Sequence, residues 1–368
     1  MKSVYIHIPF CDDICTYCDF CKFYKNNEWI DKYLSALEEE VKEKYNNEEI
    51  NTIYIGGGTP SILNLTQLKK LFNIIKIFKT NKLEEFTFEC NVESIKKEKL
   101  EYLYKNKVNR LSIGVQTFND KFLKYLNRHH TYNEVKEKIK LAKEIGFNNI
   151  NIDLIYAIKN QTLKDLENDL DKFLKLDITH ISTYSLIIEP NTILYIKGTK
   201  EIDEDLDYEM YKLICNKLKK NGYKHYEISN FARIGYESKH NLVYWNNLEY
   251  YGFGLSSSGY IDNIRYTNTR NLNKYFNLNC LEDSHKLSIN EKIENEFILG
   301  LRKIEGINKE QFLKKYNIDI KSIGIVKKLL KEEKLLENKN NIYINSKYIY
   351  ISNFILEEFI NHKKLIVK

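Results

Sequence analysis

Three prolines in 368 residues are too few to punctuate the chain, and no low-complexity tract or internal repeat takes their place. The shortage accompanies heavy use of Lys, Asn, Ile and Tyr, a bias of genome composition and not a mark of function. Nowhere do apolar residues run on for the roughly 18 positions of a membrane span, so no transmembrane segment is expected. The opening MKSVYIHIPFCDD has a short apolar run that reads as strand and breaks at Asp12, which excludes a secretory signal peptide. Without one, seven cysteines in a chain of this length argue against a disulfide framework and for the reduced thiols of a cytoplasmic protein. An excess of one charge is also missing. The 57 basic and 51 acidic side chains leave a net of +6, which permits an anionic ligand but does not argue for nucleic acid. What remains, 43% hydrophobic and 29% charged, is an ordinary globular composition at a length that suits two domains.

The cysteines that are present crowd together. Cys11, Cys15 and Cys18 stand in the order CxxxCxxC within YIHIPFCDDICTYCDFC. Three thiolates this close can ligate three irons of a four-iron, four-sulfur cluster and leave the fourth iron open. An open metal position binds a substrate or cosubstrate directly, and in this spacing the expected occupant is S-adenosylmethionine (SAM). Its amino and carboxylate groups chelate the iron, and one electron cleaves the sulfonium to a 5′-deoxyadenosyl radical. Structural zinc would need a second pair of ligands farther along, and none follows. Cys21 is left out of the ligand set, because a fourth permanent thiolate would close the open iron.

From residue 3 to about 187, short β-branched or aromatic runs (SVYIHI, NTIYIGG, EFTFECN, RLSIGVQ, NINIDLIY, HISTYSLI) alternate with amphipathic helical stretches. Six such units predict a parallel sheet of the barrel or doubly wound kind, with function at the carboxyl ends of its strands. The second run ends in GGGTPS, Gly56 to Ser61. The lysine of a phosphate loop is absent there, which leaves a plain turn or a grip on the amino group of a methionyl moiety. The next three runs end in Glu89, Gln116 and Asp153, either loop caps or acceptors for ribose hydroxyls and an amino group. Arg128 is a surface charge or the partner of a carboxylate.

The alternation lapses near residue 190, where a division into 1–190 and 191–368 is expected. Beyond it, His240 opens HNLVYWNN. It reads either as a core histidine packed by aromatics or as an axial ligand for haem iron. From about residue 290, helices and a short strand suggest a winged-helix-like module and a final amphipathic helix. Glutamates interleave with its basic residues, so DNA binding is not expected.

YIHIPFCDDICTYCDF, TIYIGGGTPS, FTFECN, NRLSIGVQTFND, NIDLIYAI and HNLVYWNN together resemble the radical SAM enzymes related to oxygen-independent coproporphyrinogen III oxidase, over nearly the whole chain. The HNxxYW box and the lack of the oxidase's long N-terminal extension make the likeness strongest to the haem-chaperone branch. The resemblance implies an α/β fold, a partial (β/α)6 barrel followed by a C-terminal α+β region. It implies Cys11, Cys15 and Cys18 as ligands of the 4Fe–4S cluster, and Tyr5, Tyr17, Gly57, Gly58, Thr59 and Glu89 around SAM. Gln116, Arg128 and Asp153 match positions that contact a second SAM in the oxidase, and His240 is the position implied for haem. Two departures stand out: Val92 stands close to where the family commonly carries a proline, and LSSSGYI at 255–261 lacks a histidine frequent in that branch. The function implied is a haem chaperone that passes haem to an acceptor protein. The alternatives are oxidative decarboxylation of coproporphyrinogen III, or radical chemistry on an unrelated substrate.

Overall fold

A computed structural model describes residues 2–360. The six apolar runs form the strands β1 (Lys2–Ile8), β2 (Ile50–Gly57), β3 (Glu85–Asn91), β4 (Arg110–Gln116), β5 (Asn149–Tyr156) and β6 (His180–Ser185). The stretches between them contain α1 (Asn27–Lys44), α2 (Leu65–Ile75), α3 (Lys97–Lys105), α4 (Tyr132–Ile145) and α5 (Leu163–Leu174). Helix starts follow from sequence. Asn64 with Gln67, Thr131 with Glu134 and Thr162 with Asp165 close reciprocal capping boxes that satisfy otherwise orphaned amides. Each strand pairs in parallel with the next, from β1 to β6 in order.

Both faces of this sheet are buried, and they differ in chemistry. On β1, Val4, Ile6 and Ile8 pack in the hydrophobic core, while Ser3, Tyr5 and His7 alternate with them on the other face. The same alternation puts Thr52, Glu85, Thr87, Arg110, Ser112, Asn151, His180 and Ser182 on a polar inner face. The sheet does not close into a barrel. The free edge of β6 is taken by β8 (Asn230–Ala232), antiparallel, and beyond it by β7 (Lys224–Glu227). The free edge of β1 is taken in parallel by β9 (Tyr250–Phe253), which leads into antiparallel β10 (Ser258–Ile261), β11 (Ile264–Asn268) and β12 (Leu281–Lys286). The longer helices of this part are α6 (Glu204–Lys220) and α7 (Lys239–Trp245), beside short ones at Ile193–Ile196 and Leu272–Phe276.

The division expected at residue 190 is therefore not a division of the core. β9 lies against β1 with Tyr250 opposite Ser3, and one hydrophobic core runs from Val4 to Cys280. A second core occupies Ile293 to Phe359. It is built in winged-helix order from α8 (Ile289–Gly300), a strand at Ile307–Asn308, α9 (Lys309–Tyr316), α10 (Gly324–Lys331) and the strands Leu335–Glu337 and Asn341–Ile344. The final helix is seen as Ser352–Glu357, and its expected continuation past 360 lies outside the described residues. No helix among the described residues is long and apolar enough to cross a membrane.

Candidate functional site

The carboxyl ends of β2 to β6 and the loop after β1 enclose a cavity of about 330 Å³. Cys11, Cys15 and Cys18 form part of its wall, and Tyr17, Gly57, Gly58, Thr59, Glu89, Gln116, Arg128 and Asp153 complete it with Tyr54, Asn91 and Ser112. Of the residues expected around SAM, only Tyr5 is off the lining. It lies one step back along β1, its hydroxyl 3.0 Å from His7 Nδ1 and its ring 6.0 Å from that of Tyr54.

The three thiols are free. Cys11 Sγ accepts a hydrogen bond from Thr59 Oγ1 at 3.6 Å and Cys15 Sγ one from Arg128 Nη1 at 3.8 Å. Lys22 Nζ reaches the Cys18 carbonyl at 2.5 Å. Burial pushes the Cys11 thiol up to about 11, against the pull of Thr59, and raises Cys18 as well. Binding a metal cluster here must therefore release protons. No group of three or more His, Cys, Asp or Glu side chains among the described residues is gathered for a single metal ion. That is compatible with a cubane, whose ligands sit on separate corners. Cys21 is turned away from the cavity, its Sγ 3.8 Å from the Arg270 carbonyl and its side chain in the core.

The glycine loop is required by contact. A β-carbon on Gly56 would stand 2.8 Å from the Glu89 carboxyl, one on Gly57 2.6 Å from the His7 ring, and one on Gly58 2.8 Å from the backbone of Phe10. The Gly58 and Thr59 amides are tied to the carbonyls of Ile8 and Phe10, each at 2.9 Å, so the loop is fixed against the segment that leads into Cys11. Glu89 accepts from Tyr54 Oη at 2.6 Å and from the Gly57 amide at 3.1 Å. Burial first, and Asp153 beside it, raise this carboxyl to about 7 in spite of those bonds. Asp153, also raised by burial, accepts from Asn151 Nδ2 at 2.8 Å. Arg128 is buried and donates from Nη2 to the Gly114 carbonyl at 2.6 Å, while its Nε has no partner. Gln116 takes a positive φ of 71° at the strand end, which turns its side chain into the cavity.

A family model of the Radical SAM superfamily matches residues 5–173. The heme chaperone HemW of Bacillus subtilis is 40% identical over 98% of this chain and 99% of its own length. That of Lactococcus lactis is also 40% identical, over 98% and 97%, and that of Escherichia coli 31% over 84% and 85%. The chain belongs to the HemW family. Among solved structures, the coproporphyrinogen III oxidase (HemN) of Escherichia coli, described as a radical SAM enzyme, superposes with a TM-score of 0.86. It covers 97% of this chain and 89% of the oxidase at 23% identity, a likeness of fold.

His240 is not in the cavity. It stands on α7 at the amino-terminal end of the sheet, fully buried, with Nδ1 2.7 Å from Thr52 Oγ1 and Nε2 2.7 Å from Tyr244 Oη. Burial, then Arg110, lower its pKa to about 3, so the ring is neutral. In this arrangement neither nitrogen is open to iron, and the surroundings are those of a core histidine. Three polar groups of the cavity and its surroundings escaped the sequence reading. Tyr54, which holds Glu89, is one tyrosine among 28. Asn91 donates to Thr59 Oγ1 at 3.1 Å. Glu93 meets both His130 at 3.2 Å and Arg128 at 3.6 Å. An alternating strand with two polar ends, EFTFECN, was the signal available for Asn91.

Proposed function

We propose that this protein is a cytoplasmic haem chaperone that holds a 4Fe–4S cluster on Cys11, Cys15 and Cys18, binds SAM beside it, and passes haem to an acceptor protein. The observation that carries the reading is the 40% identity with heme chaperones HemW over 98% of the chain. The donor set supports the cofactors, since it provides three free thiols on one cavity wall, one short of closing a four-iron cluster. When bound, the cluster supplies the electron that cleaves a sulfonium. The residues around it bind and orient. The Gly57–Thr59 loop offers close backbone approach to an amino group. Glu89 and Asp153 accept hydrogen bonds from hydroxyls or amines, and the unpartnered Nε of Arg128 suits a carboxylate.

Haem contact at His240, the position that the family likeness implies, requires α7 to withdraw and both imidazole hydrogen bonds to break. A haem titration of the anaerobically reconstituted protein, run beside His240→Gln and an unrelated control, tests this. The expected result is saturable binding that weakens in the variant, accompanied by faster amide exchange along α7. Equal binding in both proteins would move haem elsewhere and leave His240 as a core residue. Binding no better than the control would sink the chaperone reading. Consumption of coproporphyrinogen III in proportion to SAM would replace it with the oxidase.

A further inference from the structure

Arg110 opens β4 between Thr87 of β3 and Asn149 of β5 and points into the polar interior below the cavity. It is 2% exposed and is the largest fully buried side chain among the described residues. Its only hydrogen bond there is a long one, Nη1 to Thr87 Oγ1 at 3.5 Å. Among the described residues Nε has no partner, and the guanidinium forms no ion pair. Arginine does not shed its proton in proteins, so a full charge is held out of water without a contact partner. Such an arrangement is costly unless longer-range charges compensate it. Three carboxylates on this face supply that charge: the buried Glu85, whose Oε1 accepts from Thr87 Oγ1 at 3.3 Å, and, on the cavity floor, Glu89 two residues past Thr87 on β3 and Asp153 on β5. The other cation near them, Arg128, is drawn to Glu93 and Cys15 and also favours the ionised form of Asp153, so that Glu89 is the carboxylate that depends on Arg110 alone among the cations.

We propose that Arg110 is a positioning residue whose unpaired buried charge keeps Glu89 and Asp153 ionised, so that both accept hydrogen bonds from SAM instead of donating them. The inference rests on the proposed seat of SAM. Glu89 is faced by Tyr5 from β1, Tyr54 from β2, Arg110 from β4, Asp153 from β5, Tyr184 from β6 and Tyr244 from α7. Burial keeps every one of those tyrosines neutral and Asp153 opposes ionisation, which leaves Arg110 as the group favouring it through space. With Arg110 in place the carboxyl already lies at about 7. Without it, the balance at neutral pH moves further towards the protonated form and the acceptor is weakened. Arg110 also faces His180 and His240, whose neutral forms it favours.

The test is SAM affinity of the reconstituted full chain from about pH 6 to about pH 9, for wild type, Arg110→Met, Arg110→Lys and Glu89→Gln. Wild-type affinity should fall below about pH 7, where Glu89 takes up its proton. Arg110→Met should bind about fivefold more weakly at pH 7, the change in ionised fraction when a carboxyl at about 7 moves up by one pKa unit, and recover at the alkaline end. Arg110→Lys should lie between, and Glu89→Gln should be weak and flat. A loss in Arg110→Met by one factor at every pH, or no loss, overturns the inference. If that variant does not fold, the Glu89 carboxylate infrared band reads the same titration in wild type and Arg110→Lys, and an unmoved midpoint overturns it too. A wild type that binds no SAM at any pH overturns the seat of SAM itself, and the inference with it.

Discussion

Gly57 shows how little freedom the cavity leaves a single residue. Its φ of +114° is a conformation that side chains rarely adopt, and a β-carbon would meet the His7 ring, which is itself pinned by the Cys21 carbonyl at 2.9 Å. Gly57→Ala is expected to cost about 1–3 kcal/mol of stability through that strain. It should also abolish SAM binding, because the Gly57 amide that holds Glu89 must move. Urea unfolding and SAM titration measure the two effects, and a variant with unchanged stability would show that the loop relaxes. The glycines and cysteines were readable in the sequence because spacing alone marks them. Tyr54 was not, because its role comes from the distance between two strands.

At the scale of elements, the start of α7 is capped against the sheet by one buried carboxylate. Glu85, the first residue of β3, accepts from the amides of Lys239 at 2.8 Å and His240 at 3.0 Å and from Ser238 Oγ at 3.3 Å. A buried carboxylate at a helix amino terminus both satisfies orphan amides and opposes the positive end of the helix. Glu85→Gln keeps the shape but removes the charge and one acceptor, at an expected cost of about 1–3 kcal/mol. Amide hydrogen exchange at Lys239 to Trp245 should quicken while that of β4 and β5 does not. Unchanged exchange along α7 would show that Tyr244 and the aromatic packing hold it instead. HNLVYW carries a signal as a motif. That it plugs the end of the sheet opposite the cavity follows only from Glu85, Thr52 and Tyr54 lying beneath it.

At the scale of the molecule, two large cores share one chain beside a small third cluster around Leu126 and Ile158, and the two large ones should respond separately to damage. Gly306 has a φ of +71°, and a β-carbon there would stand 2.0 Å from the Ile342 carbonyl, inside the three-stranded sheet of the second core. Gly306→Val is expected to cost more than about 2 kcal/mol locally. Exchange should rise across Leu335–Ile344, while the strands from β1 to β6 keep their protection. Loss of protection in both would mean that the cores unfold as one unit.

Periodicity and spacing by themselves determined the six strand–helix units, their parallel sheet, the three cysteines and the glycine loop after β2. These are properties of neighbouring residues, set by local sterics, capping and the reach of short side chains. Tertiary structure decided what lies between distant segments. It brought Tyr250 beside Ser3 to extend the sheet past residue 190, turned Cys21 out of the cavity, and closed His240 between Thr52 and Tyr244. It also left Arg110 buried without an ion pair. Those outcomes depend on which faces meet when the sheet curves, and no window of consecutive residues contains that information.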